Sequence, residues 1–310
     1  MTQPPRAAAA PPAPRFVVVD GIPLHVLVEG PSPRAAPRTP TGPPVVLSAG
    51  LAMAWFDWDA VAAELVARGR TVIRFDRPGH GLSAPAVRPP GAVAEAHRIA
   101  ALLDALGLPP TRPVTVVGHS IAGFHAEAFA RLHPARTAAL VLLDSSVEES
   151  PRTPLPTGIR TAAARALGRA ASALGLPAAL GPAAREAAVR AGRAGRAADP
   201  AARDLVRRCY RTGRVWRGAL LENARYPDTA EELLALAARH PLTAPATVLA
   251  AHDGRHGRAG RRWLERQAAL ADRLGARFEV AEPAGHLVML DRPHQVARAV
   301  LAADAGDRLP

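Results

Sequence analysis

The sequence predicts an α/β fold in which a mostly parallel central sheet is flanked by helices and interrupted once by an inserted helical segment. Three observations support this prediction. Short apolar, β-branched runs alternate with helix-forming stretches along most of the chain. The alternation stops between residues 148 and 240, where Ala and Arg dominate and no strand-like run occurs. It resumes at residue 246.

The strands before the interruption are short and apolar. Residues 16–29 read as two strands around the turn Asp20-Gly21, because Asp-Gly is a favoured hairpin turn. The other predicted strands have no polar alternation, which is typical of strands covered on both faces. They span residues 45–48, 71–75, 114–118 and 138–143.

Helices are predicted where apolar residues recur at intervals of three and four. Those before the interruption span residues 57–68, 91–106 and 124–130. After it, the order is a strand at 246–251, a helix at 259–274, a strand at 277–280 and a last helix at 291–301. Strands that alternate with helices in this way favour parallel pairing.

The composition divides the chain into three parts. Residues 1–14 are mostly Ala and Pro and are expected to form a disordered tail. Residues 15–147 and 241–304 are expected to form the α/β core. Residues 148–240 contain Ala- and Arg-rich helical stretches broken by Pro and Gly, and they are expected to form a helical insertion.

Length, hydrophobic content and cysteine count limit the classes of protein to which the chain can belong. The chain has 310 residues, of which 48% are hydrophobic, so it can bury a large core. The sequence has no charge-free apolar run of about twenty residues, so we expect no membrane-spanning helix and no membrane partner. A single cysteine, Cys209, excludes an internal disulfide and favours a cytoplasmic protein.

The formal net charge is +12, yet the basic residues do not form a nucleic-acid-binding pattern. The chain has no lysine, and its arginines do not alternate with aromatic residues, so we expect no nucleic-acid partner. The segment from residue 152 to residue 217 contains fourteen arginines but only three acidic residues. These arginines either form a solvated surface or attract an anionic substrate, and the sequence leaves both possibilities open.

Residues 114–123 contain the strongest local motif. A β-branched strand ends at Gly118, passes through Ser120 and enters a helix after Ala122. Such a turn exposes the serine hydroxyl and requires small neighbours. The motif resembles the nucleophile elbow of the α/β-hydrolase family, usually Gly-x-Ser-x-Gly, with Ala122 in the last glycine position. The resemblance implies an α/β-hydrolase fold in which the insertion at residues 148–240 is a helical cap, or lid, and it makes Ser120 the expected nucleophile.

A second motif follows the strand at 71–75. Residues 76–83 read Asp-Arg-Pro-Gly-His-Gly-Leu-Ser and resemble the Asp-x-x-Gly-x-Gly-x-Ser loop of the same family. Gly79 and Gly81 allow backbone angles that other residues resist. We expect His80 to be a loop histidine and not a catalytic residue.

The resemblance also implies a base and an acid. The loop around Gly285 and His286 is similar to the family segment that carries the catalytic histidine, so His286 is the expected base. Asp253 follows the strand after the cap and is the expected acid. Asp144, at the end of the preceding strand, is the alternative, because some relatives supply the acid there.

The expected oxyanion hole uses two backbone amides. One belongs to Ile121, which follows the nucleophile, and the other to Leu51, which follows Ala49-Gly50. We expect no cofactor and no metal, since neither a metal-ligand cluster nor a dinucleotide-binding glycine pattern occurs in the sequence.

These features predict a cofactor-independent serine hydrolase that cleaves a small or medium ester, lactone or thioester through an acyl-enzyme. Its expected partner is a small-molecule acyl substrate. The same scaffold could support acyl transfer, lyase chemistry or cofactor-free haloperoxidase-like activity. A non-catalytic binding protein is the remaining alternative, and an intact Ser-His-acid set argues against it.

Overall fold

The computed structural model describes residues 15–30, 42–153, 155–255 and 257–304, and an eight-stranded sheet lies at its centre. The predicted tail at 1–14 and most of the loop before the third strand, 31–41, lie outside the described residues. In chain order the strands are β1 Arg15–Val19, β2 Ile22–Glu29, β3 Val45–Ser48, β4 Val72–Phe75, β5 Val114–His119, β6 Thr137–Leu143, β7 Ala246–Ala251 and β8 Arg277–Ala281.

The order across the sheet is β1-β2-β4-β3-β5-β6-β7-β8. Strands β3 to β8 are parallel, while β1 pairs with β2, and β2 with β4, in the antiparallel sense. The expected mostly parallel sheet is therefore confirmed. The carboxyl ends of β5 and its neighbours β3 and β6 meet at one edge, where ligands bind in open α/β sheets.

Helices cover both faces of the sheet. Alternate residues of a strand point to opposite faces, so Val116 and Leu140 belong to one apolar core, while Val117 and Val141 belong to the other. The first core is closed by α2 Ala92–Ala105, α3 Ala122–Leu132 and α8 Arg258–Leu274. The second is closed by α1 Asp59–Ala67, which follows a 3-10 turn at Trp55–Trp58, and by α9 Val288–Asp291 and α10 Pro293–Ala303.

The last predicted helix is divided in two. Arg292 has a φ of −134° and a ψ of 55°, which are not helical values, and it separates α9 from α10. The cause is Pro293, because a proline ring disfavours helical angles in the residue before it. The single helix predicted at 291–301 is therefore corrected to a short turn followed by α10.

The segment between β6 and β7 is helical in its described residues. It contains α4 Thr157–Ala173, α5 Leu176–Gly192, α6 Arg203–Tyr210 and the long α7 Gly213–Ala237. Helix α7 packs against both α4 and α3, so it connects the inserted helices to the sheet-covering layer.

Asp76 organises the loop that follows β4. Its buried carboxylate lies 3.0 Å from Nδ1 of His25 and accepts the amides of Trp55 at 3.0 Å and Leu82 at 2.9 Å. A Cβ on Gly81, whose φ is 46°, would collide with that carboxylate. The loop thus needs glycine at residue 81, and Asp76 joins it to the segment before α1.

Candidate active site

Ser120 lies at the turn between β5 and α3. Its φ of 55° is in the left-handed region, which few non-glycine residues adopt. Hydrogen bonds on both sides hold this strained turn. The Ser120 amide donates to the Leu143 carbonyl at 3.2 Å, and the Ser120 carbonyl accepts the amides of Gly123 at 2.9 Å and Ser146 at 3.1 Å. The turn places Ser120 in the wall of a cavity described below.

Small residues around Ser120 allow the helix to approach the strand. A Cβ on Gly118 would collide with the Ala122 carbonyl and would lie 2.8 Å from Cβ of Ala126. A Cβ on Gly123 would collide with the hydroxyl of Ser145. Ala122 itself is fully buried, so the last position of the motif accepts a methyl group while Gly123 is held to glycine.

His286 lies in the loop between β8 and α9, and hydrogen bonds on either side of it fix that loop. The Gly285 amide donates to Oδ2 of Asp291 at 2.9 Å. The Leu287 amide donates to the carbonyl of Gly192, the last residue of α5, at 2.9 Å. The position of the imidazole therefore depends on contacts with both the core and the inserted helices.

One hydrogen-bonded chain joins Ser120, His286 and Asp144. Nε2 of His286 lies 3.0 Å from Oγ of Ser120, and Nδ1 lies 2.6 Å from Oδ2 of Asp144. The other Asp144 oxygen accepts the Ala251 amide at 2.9 Å and the Trp263 indole N–H at 2.6 Å. Since a carboxylate only accepts, Nδ1 of His286 is the donor, which leaves Nε2 free to accept the Ser120 proton.

The structure places Asp144, and not Asp253, beside His286, which corrects the first expectation from the sequence. Asp144 follows β6, the neighbour of β5, so it lies at the same edge as Ser120. Asp253 follows β7, one strand further away. Its Oδ1 accepts the amide of Arg255 at 2.9 Å and its side chain is 45% exposed, so the contacts of its carboxylate are with its own turn.

The two expected oxyanion donors both lie next to Ser120. Ile121 follows it at the amino-terminal end of α3, and Leu51 lines the same cavity. Within the described ranges, neither amide donates to a backbone carbonyl. A Cβ on Gly50 would lie 2.6 Å from Nδ1 of His119, so the loop that carries Leu51 passes close to the serine.

A buried arginine holds this loop from behind. The guanidinium of Arg77 donates to the carbonyls of Ala49 and Gly50, with the second contact at 3.1 Å. It also donates to both carboxylate oxygens of Glu222 on α7, each at 2.9 Å. Arg77 therefore connects the backbone immediately before Leu51 to the inserted helices.

The charge of Glu222 is maintained by its neighbours. Burial alone would raise the pKa of its carboxyl, but the charges of Arg77 and then His80 hold that pKa well below its usual range. Nε2 of His80 lies 3.2 Å from the Glu222 carboxylate. His80 thus belongs to this buried cluster and makes no contact with Ser120.

Glu222→Gln is expected to lower the free energy of unfolding by about 3 kcal/mol, because it leaves the Arg77 charge buried without its counterion. Urea unfolding followed by circular dichroism measures this difference. The control is Glu186→Gln, which removes an exposed pair with Arg190 on α5 and should cost less than about 0.5 kcal/mol. Equal, small losses in both variants would contradict a structural role for the Arg77–Glu222 pair.

A second polar link joins the inserted helices to the same loop. The Tyr210 hydroxyl donates to the Ala52 carbonyl at 2.6 Å and accepts a hydrogen bond from Arg185 at 3.0 Å. Arg185 is buried and also pairs with Asp57 and, at 2.8 Å, with Asp199. Arg185 lines the cavity near Ser120, but two carboxylates match its charge, so it offers no free cation there.

The cavity above Ser120 has a volume of about 600 Å³. Leu51, Ser120 and His286 form one wall, and residues of α5 and α7 form the other. Trp216 and Leu220, two apolar residues of α7, line the cavity. Leu205 and Val206 instead pack in a separate cluster with Trp55 and Phe56, and Leu221 is outside the lining.

His119 supports the His286 loop as a neutral imidazole. Its Nε2 donates to the His286 carbonyl at 2.8 Å, and the two rings lie 4.8 Å apart. Burial, followed by the neighbouring His286, holds the pKa of His119 well below its ordinary value. His119 is therefore uncharged at neutral pH and adds no positive charge beside the imidazole of His286.

Metal-binding clusters and membrane-spanning helices are both absent from the described ranges. These ranges contain no group of three or more His, Cys, Asp or Glu side chains arranged to hold a metal ion. None of the helices described is both long and apolar enough to cross a bilayer.

The comparisons with known proteins agree with this architecture. The family model described as "Alpha/beta hydrolase family" matches residues 45–299. One curated relative is "Putative carbamate hydrolase RutD" of Variovorax paradoxus (strain S110), which is 33% identical over 125 residues. That match covers 40% of this chain and 43% of the relative, so it spans less than half of either protein.

Two solved structures illustrate the range of similar folds. A thermophilic esterase from Thermogutta terrifontis, with malate bound, is 25% identical with a TM-score of 0.64, covering 94% of this chain and 97% of its own. The Cif epoxide hydrolase from Acinetobacter nosocomialis has a TM-score of 0.72 at 17% identity, covering 96% and 90%. The latter likeness concerns the fold alone.

The family model covers most of the sheet, the Ser120 turn and the His286 loop. Both the curated relative and the Thermogutta structure carry the names of hydrolytic enzymes. The chain belongs to the alpha/beta hydrolase family.

Proposed function

We propose that the protein is a cofactor-independent serine hydrolase that cleaves a small or medium ester, lactone or thioester through an acyl-enzyme. The observation that carries this proposal is the continuous chain from Ser120 through His286 to Asp144, with contacts of 3.0 Å and 2.6 Å, beside an apolar cavity. Nucleophile and base lie within hydrogen-bond reach, and a third group orients the base, as nucleophilic catalysis requires.

In the acylation step, Oγ of Ser120 attacks the substrate carbonyl while Nε2 of His286 takes the hydroxyl proton. Asp144 keeps the imidazole in the tautomer that accepts at Nε2, and it stabilises the imidazolium that forms. The three hydrogen bonds that Asp144 accepts hold its carboxylate in the orientation that this role requires.

The amides of Leu51 and Ile121 are proposed to bind the oxyanion of the tetrahedral intermediate. A backbone donor of this kind contributes about 3 kcal/mol to the transition state when it is held in place. The Arg77 contacts to the carbonyls of Ala49 and Gly50 supply that rigidity on the Leu51 side. The amino-terminal end of α3 adds its helix dipole on the Ile121 side.

His286 then gives its proton to the alcohol or thiol leaving group, which departs and leaves the acyl group on Ser120. In the second step the same imidazole takes a proton from a water molecule, which attacks the acyl-enzyme. The acyl–Oγ bond breaks, the acid is released and Ser120 regains its proton. The His286 side chain is 44% exposed although its Asp144 partner is buried. Water therefore reaches the imidazole, which favours hydrolysis over acyl transfer, a reaction that needs water to be excluded.

We further propose that residues 148–240 act as a cap that sets substrate size. Helices α5 and α7 supply most of the cavity wall opposite Ser120. A cavity of about 600 Å³ is within the usual range for small-molecule sites. Its apolar side chains, among them Val215, Trp216 and Leu220, suit the acyl part of a substrate.

A carbamate is a second candidate substrate class. The similarity to "Putative carbamate hydrolase RutD" favours it, and a carbamate carbonyl can be attacked by Ser120 through the same steps. A carbamate differs from an ester in the nitrogen next to its carbonyl, and this nitrogen needs a polar partner in the cavity. Asn223, on α7, is a polar residue of the lining that could serve.

A panel of substrates with one leaving group and different acyl parts tests the proposal. Para-nitrophenyl esters from acetyl to dodecanoyl, a matched carbamate and an aliphatic lactone are compared by kcat/KM. We expect turnover of esters with an optimum at short or medium acyl chains, because α5 and α7 form the cavity wall opposite Ser120. Absence of turnover for every ester, with turnover of the carbamate alone, would replace the ester assignment with the second candidate.

A further inference from the structure

A second cavity, with a volume of about 730 Å³, meets the first at Gly192 and His286. It is formed by the segment after α5, the turn after β7, and the loops on either side of α9. We call it the arginine cleft and define it by its charged residues and the histidine: Arg193, Arg196, Arg255, Arg292, Asp253, Asp291 and His286. Ser120 lines the first cavity and not the cleft.

One ion pair in the arginine cleft is structural. Arg193 donates to Oδ1 of Asp291 at 2.8 Å and also to the carbonyls of Leu290 and Ala198. The other Asp291 oxygen accepts the amide of Gly285, next to His286. This pair fastens the inserted segment to the His286 loop, and its charges are already matched.

Two of the remaining arginines, Arg196 and Arg292, are not neutralised in this way, whereas Arg255 forms an exposed ion pair with Asp253. In the part of the chain that the structure describes, neither Arg196 nor Arg292 forms a salt bridge, and the buried Nε of Arg292 has no hydrogen-bond partner. Arg255 is 84% exposed and lies 3.9 Å from the Asp253 carboxylate. The lining of the cleft contains four arginines and two aspartates, so it has a formal surplus of two positive charges.

The cleft lies beside His286, the residue that is proposed to protonate the leaving group. The leaving group must come within hydrogen-bond reach of Nε2 of His286 to receive its proton. The first cavity is lined largely by apolar side chains and suits the acyl part, so the leaving group extends past His286. Guanidinium groups bind carboxylates and phosphates through paired hydrogen bonds and bind neutral groups more weakly.

We propose that the arginine cleft is a leaving-group subsite that selects substrates whose alcohol or thiol part carries a carboxylate or a phosphate. This inference rests on the proposed serine hydrolase function and names the substrate class of that site. The sequence left open whether some arginines of the cap attract an anionic substrate. The proposal assigns that role to the cap residue Arg196, together with Arg255 and Arg292 of the core. The exposed arginines elsewhere in the cap are then a solvated surface.

The test compares three butyryl esters of phenols that bear a para-carboxamide, a para-carboxylate or a para-phosphate group. We expect the wild-type protein to favour the two anionic esters over the neutral one. In Arg196→Gln/Arg292→Gln, kcat/KM for the anionic esters should fall about tenfold while that for the neutral ester is unchanged. Raising the salt concentration should reduce the preference of the wild type in the same way.

Two further variants make the result specific. Arg169→Gln removes an exposed arginine of α4 that lines neither cavity, and it should leave all three rates unchanged. Arg255→Gln changes a side chain that is 84% exposed and should fold normally, with a smaller loss in the same direction as the double variant.

Equal kcat/KM for the neutral and anionic esters, or equal effects of Arg169→Gln and the double variant, would overturn the subsite while leaving the hydrolase function intact. Failure to turn over any of the three esters would overturn both the function and the subsite. A preference for the phosphate ester over the carboxylate ester identifies a phosphorylated leaving group, and the reverse preference identifies a carboxylate.

Discussion

Asp144→Asn is expected to lower kcat for ester hydrolysis by about 10⁴-fold while the protein remains folded. The substituted asparagine keeps the shape of the side chain but can present an N–H to Nδ1 of His286, which favours the tautomer that cannot accept the Ser120 proton. Steady-state kinetics on the best ester measures the loss. Circular dichroism checks folding, because Asp144 also accepts the Ala251 amide and the Trp263 indole N–H.

The matched control is Asp253→Asn, the same chemical change at the residue that the sequence pattern favoured as the acid. Asp253 is partly exposed and bonds to the backbone of its own turn, so the kcat of this variant on a neutral ester should stay within about twofold of the wild type. A loss in Asp253→Asn as large as that in Asp144→Asn would show that the acid moves between two positions during turnover, contrary to the assignment of Asp144.

Ser120→Ala is expected to remove hydrolysis by on the order of 10⁴-fold or more. The methyl group fits the same turn, so the strained φ of 55° and the hydrogen bonds around it are retained. A fluorophosphonate probe, which labels only activated serines, should modify the wild type and not the variant. Ser146→Ala, in which a nearby serine is changed, should still be labelled.

Much of the fold can be predicted from the sequence because the decisive signals are local. The run of residues 45–48 and that of 246–251 are apolar without alternation, and both are buried strands in the sheet. The turn at Ser120 needs a strand, small residues and a helix within a short stretch of chain. All of these requirements concern neighbouring residues in the sequence, so both the strand and the turn at the serine could be predicted from the sequence alone.

The position of the acid could not be predicted in this way. Asp144 and Asp253 each follow an apolar strand, and only the order of strands across the sheet decides which is closer to His286. The turn after β7 then directs Asp253 to its own backbone. The Trp263 contact to Asp144 depends on how α8 crosses the end of β6, and no pattern near either residue encodes that crossing.

The support behind the Leu51 loop was also missed, for a similar reason. Arg77 and Glu222 are 145 positions apart, and the first lies in a glycine-rich loop whose recognisable pattern depends on its other residues. Charge patterning in α7 gave no sign that Glu222 is buried. The buried Arg–Glu pair between the core and the inserted helices can be recognised only when the packing of α7 over the loop after β4 is known.

Ser120 is proposed to form a covalent acyl-enzyme, and that species can be trapped and identified by mass spectrometry. The protein is mixed with a slowly hydrolysed ester, quenched in acid within the first turnover, and characterised by intact mass and peptide mapping. We predict a mass increase equal to one acyl group, located on the peptide that contains Ser120 and absent from Ser120→Ala. Turnover without any adduct, or an adduct on another residue that persists in Ser120→Ala, would show that Ser120 is not the nucleophile.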